Sequence, residues 1–299
     1  MRKILMGLLI VLKLEAAETK IEEKMQTQLV EANSFFIEAS DVEELLERTG
    51  MSKEALLQAL IPIIKTRARP PISSYYVGAA LLGKSGNIYL GVNLEFPGFH
   101  LNQCIHGEQF AIVLARLLGE TEIEAIALSA APCGHCRQFL NELGKDLEVI
   151  TPHQPPRKLS ELLPDAFGPK DLGLEGNLLT RAESFASDHP DDLIAQAIEA
   201  CHASYAPYSK CPAGLAIQTH DGAVYIGHYL ENAAFNPMVS PFQAALVALI
   251  ADNRGYEEIA KVVLVEYQPP QKTGHARATE DLLKSLAPHA EFQFISLGT

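Results

Sequence analysis

GNIYLGVNLE at residues 86–95 and GAVYIGHYLE at residues 222–231 are one pattern written twice, 136 residues apart, with coincidence at Gly86/Gly222, Tyr89/Tyr225, Gly91/Gly227, Leu94/Leu230 and Glu95/Glu231. The same displacement lays Pro71 on Pro207, Ser73 on Ser209 and Gly78 on Gly214. A likeness that persists over several separate segments is an internal duplication, so the chain carries two domains of similar fold.

Outward from the first copy, short apolar runs of strand length alternate with helical ones: YVGAALLG, NIYLGVNL, GEQFAIVLARLLG, IEAIALSA, GHCRQFLNELG and LEVIT. That alternation predicts a three-layer α/β/α sandwich with a mixed sheet and at least one parallel crossover. Ahead of it, SDVEELLERTG predicts a helix capped by Ser40 and ended by Gly50, and SKEALLQALIPIIKTRA a helix broken at Pro62. The stretch from Pro152 to Asn177 is rich in proline and glycine and predicts little regular structure, while its Leu162, Leu163 and Phe167 suggest packing on a neighbour. The expected division is an N-terminal extension and small helical lead-in at 1–50, a metal-binding domain at 51–172, a linker at 173–189 and a second copy at 190–299.

At 299 residues with 47% hydrophobic content, the chain can bury a sizeable core in each domain. A formal charge of −13 repels phosphate backbones, which argues against nucleic-acid partners and for a small-molecule substrate. Five unevenly spread cysteines make no disulfide framework and favour a reducing, cytoplasmic setting. Cys104, Cys201 and Cys211 read as small apolar side chains. The opening MRKILMGLLIVLKLEAAETK imitates a secretory signal, the alternative location being export, but Lys13 and Glu15 interrupt it and its uncharged run is too short to span a bilayer.

Within SAAPCGHCRQF, residues 129–139, Cys133 and Cys136 stand in a C-x-x-C spacing that serves redox exchange and metal binding equally well. Upstream, CIHGEQFAIV places His106 and Glu108 two apart at the start of a helical run. A catalytic zinc takes three protein ligands and keeps a fourth position for water, and one imidazole with two thiolates is among the known sets. His106, Cys133 and Cys136 supply that count. Both halves precede predicted helices, whose positive ends would help hold the thiolates. Glu108 is placed to reach a water on the metal and to act as a proton shuttle. A closed structural zinc site is the competing reading, with Cys104 or His135 as a fourth ligand.

H-x-E followed by P-C-x-x-C is the signature of zinc nucleoside and base deaminases. With GVNLEFPG, LPDAFGPKDL, SYAPYSKCPAG and ENAAFNP spread over both copies, the chain resembles the homodimeric, two-domain, zinc-dependent cytidine deaminases from about residue 50 onward. The resemblance implies hydrolytic conversion of cytidine and 2′-deoxycytidine to the uridines with release of ammonia, one Zn²⁺ per chain and no membrane partner. It implies that Glu108 moves protons, that Asn93 and Glu95 hold the ribose, and that Tyr75 stacks on the pyrimidine unless Tyr76 is the inward residue. It further implies base contacts from the Gly107 N–H and the Ala131 carbonyl, and closure of the partner's pocket by Phe167 and Phe235. A polynucleotide editor, the rival among deaminases, would need a basic groove that the charge does not favour.

The second copy lacks this chemistry. A two-residue gap lays Ser240, Pro241 and Phe242 on His106, Gly107 and Glu108; the same register puts Tyr267 and Pro270 at the cysteine positions, and Asn93 becomes Tyr229. The resemblance assigns this copy a structural and interfacial role.

Overall fold

The computed structural model describes residues 34–180, 187, 189–267 and 274–298. The signal-like opening, part of the 173–189 linker and Pro270 lie outside the described residues. Each copy follows the order helix, two strands, helix, strand, helix, strand. In the first these are α2 (Lys53–Ile64), β2 (Gly78–Gly83), β3 (Ile88–Val92), α3 (Gly107–Leu117), β4 (Ile123–Leu128), α4 (Gly134–Asn141) and β5 (Glu148–Ile150). In the second they are α6 (Asp192–His202), β7 (Ala213–Thr219), β8 (Val224–His228), α7 (Pro241–Ala251), β9 (Ile259–Tyr267), α8 (Ala276–Leu286) and β10 (Glu291–Leu297).

Both sheets are mixed. β2 pairs antiparallel with β3 and β4, and β4 pairs parallel with β5; β7, β8, β9 and β10 repeat those relations. Strand alternation explains the layers, since successive side chains face opposite sides. In the second copy Ala216, Val263 and Val265 join the core beneath α6, while Leu215, Ile217, Val262 and Leu264 join the main core with α7. That main core runs on into the first copy, and α3 packs against α7 where the copies meet.

The repeated glycines have a geometric cause. A Cβ on Gly91 would lie 2.2 Å from the Gly107 carbonyl, and one on Gly227 would lie 2.0 Å from the Pro241 carbonyl, so only glycine lets the strand pass beneath the helix start.

Several local expectations need correction. The first helix, α1 (Ala39–Thr49), is capped by Glu38, so Ser40 lies inside it; Gly50 ends it in the left-handed conformation as expected. α2 continues through Pro62, which is exposed in the last turn where water can replace the missing donor. Ser52 caps that helix by accepting the Ala55 N–H at 3.2 Å. β1 (Phe36–Ile37), too short to show a strand pattern, extends the first sheet along β3. The Pro- and Gly-rich stretch contains β6 (Arg157–Lys158) and the single-turn α5 (Leu159–Leu162), and Leu162 is buried as expected. Phe167 is 48% exposed and does not pack inward.

Strand register also corrects the alignment of the copies. Ala79 pairs with Leu128 and Leu215 with Leu264, so β9 stands 136 residues after β4, although α7 starts only 134 after α3. The two residues lost before α7 are regained before β9. That register holds only as far as β9, since α8 starts 142 residues after α4; at the helix start the residues matching Cys133 and Cys136 are His275, the N-cap of α8, and Ala278, not Tyr267 and Pro270. Neither His275 nor Ala278 can supply a thiolate.

Candidate active site

His106 and Cys133 are the N-cap residues of α3 and α4, in extended backbone just before the first helical residue, and Cys136 lies one turn into α4. Two helix N-termini thus converge on one point, each with amide donors that have no intrahelical acceptor and a partial positive charge that favours thiolate. His106 Nδ1 is 3.2 Å from Cys136 Sγ and 3.6 Å from Cys133 Sγ, and the two sulfurs are 3.6 Å apart.

Those lengths test the fit to zinc. With Zn–S near 2.3 Å and Zn–N near 2.0–2.1 Å, a tetrahedral ion sets S···S edges of about 3.8 Å and S···N edges of about 3.6 Å. The triad's three edges lie within about 0.4 Å of those lengths, the His106–Cys136 edge being the short one. Among the described residues it is also the one group of His, Cys, Asp and Glu side chains able to hold a metal ion. Neither Cys104 nor His135 joins it. His135 stacks on the His106 ring at 4.9 Å, and Cys104 faces the cleft beside it. A closed four-ligand site is thus not formed by the described residues.

The thiols differ sharply in their hold on protons. Hydrogen bonds with Cys136 and then His106 bring the Cys133 thiol down to about 3, whereas its bond to Cys133 and burial push the Cys136 thiol up. His106 is raised, first by its bond with Cys133. A single shared proton accounts for the contrast, and a divalent cation among the three groups would displace it.

Glu108 is the second residue of α3, 5% exposed, with its carboxyl beside the Cys136 thiol. Burial raises its pKa above the usual carboxylate value. Its place beside the triad and at the cleft puts the carboxyl within reach of a proton donor and acceptor there, which is what a shuttle requires.

A cleft of about 330 Å³ opens over the triad, lined by Tyr75, Asn93, Glu95, Gly107, Glu108 and Ala131 together with His106 and Cys133. Tyr75, not Tyr76, faces it. Asn93 and Glu95 do more than line the rim. Asn93 Oδ1 accepts the Val77 N–H at 2.9 Å and its Nδ2 donates to the Tyr75 carbonyl at 2.9 Å. Glu95 accepts the Ile72 and Ser73 N–H groups, each at 2.9 Å, and the Ser73 hydroxyl at 2.5 Å. Burial works against its charge, but these bonds outweigh it and hold the carboxyl below its usual value. The pair thus anchors the loop that carries Tyr75.

Ser73 is a cleft residue whose only signal in the sequence is its repeat match with Ser209, and Cys104, a candidate fourth ligand there, lines the cleft instead. Cys201 and Cys211 are buried, as read, while Cys104 is half-buried in the cleft wall. Phe167 and Phe235, 48% and 68% exposed, do not line this cleft.

Residues 51–151 and 159–280 each match the family model described as the cytidine and deoxycytidylate deaminase zinc-binding region. The cytidine deaminase of Vibrio vulnificus strain YJ016 is 42% identical over 258 residues, covering 85% of this chain and 87% of its own. That of Shewanella oneidensis is 47% identical over 233 residues, 77% of this chain and 79% of its own.

The chain belongs to the cytidine deaminase family.

A crystal structure of cytidine deaminase from Burkholderia pseudomallei, 34% identical, covers 39% of this chain and all of its own with a TM-score of 0.35. Zinc is the cofactor of the cytidine deaminase family's binding region, and His106, Cys133 and Cys136 are a group able to hold it. The second deaminase copy keeps the loop anchor and loses the rest. Glu231 accepts the Tyr208 and Ser209 N–H groups as Glu95 does those of Ile72 and Ser73. Tyr229, at the position of Asn93, is buried with its ring edge-on to His275 at 4.3 Å.

Among the described residues no helix is long and apolar enough to cross a membrane.

Proposed function

We propose that the chain hydrolyses the amino group of cytidine and 2′-deoxycytidine, giving uridine and 2′-deoxyuridine with release of ammonia, as a step of pyrimidine salvage. One observation carries the reading: a buried carboxyl, Glu108, stands beside a zinc-shaped His/Cys/Cys triad on the floor of a nucleoside-sized cleft.

Held by His106, Cys133 and Cys136, zinc would supply the Lewis acidity that lowers the pKa of water to near 7. Glu108 carries the proton that the attacking water gives up to pyrimidine N3, which makes C4 electrophilic. Once C4 is tetrahedral, Glu108 delivers a proton to the departing amine, so that water in and ammonia out leave a carbonyl at C4. The Gly107 N–H, at the first position of α3 with no acceptor within the helix, is aimed to bind the base O2, and the Ala131 carbonyl to accept from the amino group. Tyr75 supplies the aromatic face for the pyrimidine. Asn93 and Glu95, two residues apart and so on the same face of the chain leaving β3, are the polar groups for the ribose.

The functional unit is a homodimer in which Phe167 and Phe235 reach the neighbouring subunit's cleft. Their support is exposure, with Phe235 held outward at a φ of 63° that a bulky residue seldom adopts. The domain limits given above (51–172 and 190–299, joined by 173–189) and a cytoplasmic location belong to the same reading.

The deciding experiment incubates the purified, zinc-loaded chain with cytidine and with 2′-deoxycytidine and measures ammonia, product nucleoside and zinc per chain. Release of ammonia with about one zinc per chain is expected. No release from either nucleoside would sink the proposal.

A further inference from the structure

The second copy grips the loop that carries His106 from both sides. On one side, Gln109, 1% exposed and third in α3, accepts the His106 N–H on Oε1 at 3.1 Å and donates from Nε2 to the Pro237 carbonyl of the second copy at 3.3 Å. On the other, Gln243, 3% exposed and third in α7, accepts the Ser240 N–H at 2.8 Å and donates to the Gln103 carbonyl of the first copy at 2.9 Å. His106 is therefore tied to the other copy three residues before and three residues after itself.

The two helix starts differ in one respect. Ser240 caps α7 with its hydroxyl, which accepts the Gln243 N–H at 3.2 Å. His106 turns its Nδ1 to the sulfurs and makes no side-chain cap of α3. Lack of a side-chain cap costs a helix start about 1 kcal/mol. At the metal site that local fastening is missing, and the ties to the second copy are in its place.

We propose that the metal-free copy is a positioning element for the zinc ligand, acting through Gln243 and Pro237 on the backbone that flanks His106, with Gln109 and Gln243 as positioning residues. The proposal rests on the reading of His106 as a ligand. It explains why a copy without ligands or shuttle keeps glutamine at the third position of its helix. Outer partners of metal ligands are typically worth 10–100-fold in metal affinity, because they hold the ligand in its binding geometry.

Gln243→Met in the full chain removes the donor to Gln103 at nearly constant volume, and Gln243→Glu keeps the acceptor for Ser240 while removing that donor. Zinc affinity is measured by competition with a chromophoric chelator, and amide exchange of residues 101–106 is measured in the metal-free protein. Both variants are expected to bind zinc about 10-fold more weakly and to exchange faster in that segment. Val263→Ala, in the core beneath α6, is expected to lower stability without either change. Parent-like zinc affinity and exchange in both Gln243 variants would overturn the proposal, as would equal effects from Val263→Ala. If the parent chain bound no zinc, the ligand reading would fail, and the exchange measurement would still decide whether the second copy holds the loop.

Discussion

Replacing Glu108 by alanine should separate chemistry from binding. The side chain makes no part of the triad, so the three candidate ligands stay in place. Its carboxyl also raises the Cys136 thiol, so its removal eases formation of the second thiolate and zinc should be retained at one per chain. The sugar and base contacts proposed above fall to Asn93, Glu95, Tyr75 and the backbone at Gly107 and Ala131, all cleft-lining groups that the substitution leaves unchanged. KM for cytidine should then stay within about threefold, since uniform binding is unchanged. Turnover should not survive. General acid–base transfer is worth about 10²–10⁴ per step, and Glu108 is asked both to protonate N3 and to serve the leaving amine. Because one group does both, the loss should reach at least about 10⁴ in kcat, or about 5.5 kcal/mol of barrier. Initial rates of cytidine loss, ammonia release and metal content on the same preparation test this. A kcat within tenfold of the parent would refute the shuttle role, and activity lost together with zinc would refute the claim that the carboxyl is catalytic, not structural.

Asn93→Ala removes the acceptor for Val77 and the donor to the Tyr75 carbonyl. KM for both nucleosides should rise about tenfold with a smaller change in kcat, and stability should fall about 1–2 kcal/mol for two lost bonds; an unchanged KM would exclude Asn93 from the sugar site. Acid sensitivity is expected from His275, whose buried ring holds its pKa down at about 4 against an ordinary 6.5. The folded state thus keeps the ring neutral while the unfolded chain takes up a proton, so stability is full above pH 6.5 and is lost as pH falls towards 4. The loss amounts to about 3 kcal/mol across that window. Urea unfolding at pH 7 and pH 4.5 should show it, and His275→Phe should flatten the difference. Identical pH slopes in parent and variant would rule His275 out as the cause.

The ligand set was legible because zinc chemistry restricts it to few residue types, and helix starts place those types at short, recognisable spacings. The duplication was legible because a strand passing under a helix admits only glycine, which leaves Gly91 and Gly227 as markers in both copies. The same comparison misplaced the second copy's cysteine equivalents, because the residues lost before α7 are regained before β9 and the loop before α8 is longer still, which only the pairing of Leu215 with Leu264 and the start of α8 at Ala276 expose. Ser40 and Pro62 misled for a local reason: a cap is chosen by where the chain turns, and an exposed proline near a helix end loses one bond that water can replace.

By itself the sequence determined two copies of one α/β pattern, a His/Cys/Cys triad with a shuttle in the first and none in the second. Tertiary structure alone decided that Asn93 and Glu95 anchor the Tyr75 loop and that Gln109 and Gln243 exchange bonds between the copies. Periodicity reports which face a residue occupies within its own strand or helix. Partners 140 residues apart leave no such trace, because they meet only when α3 and α7 have packed against each other.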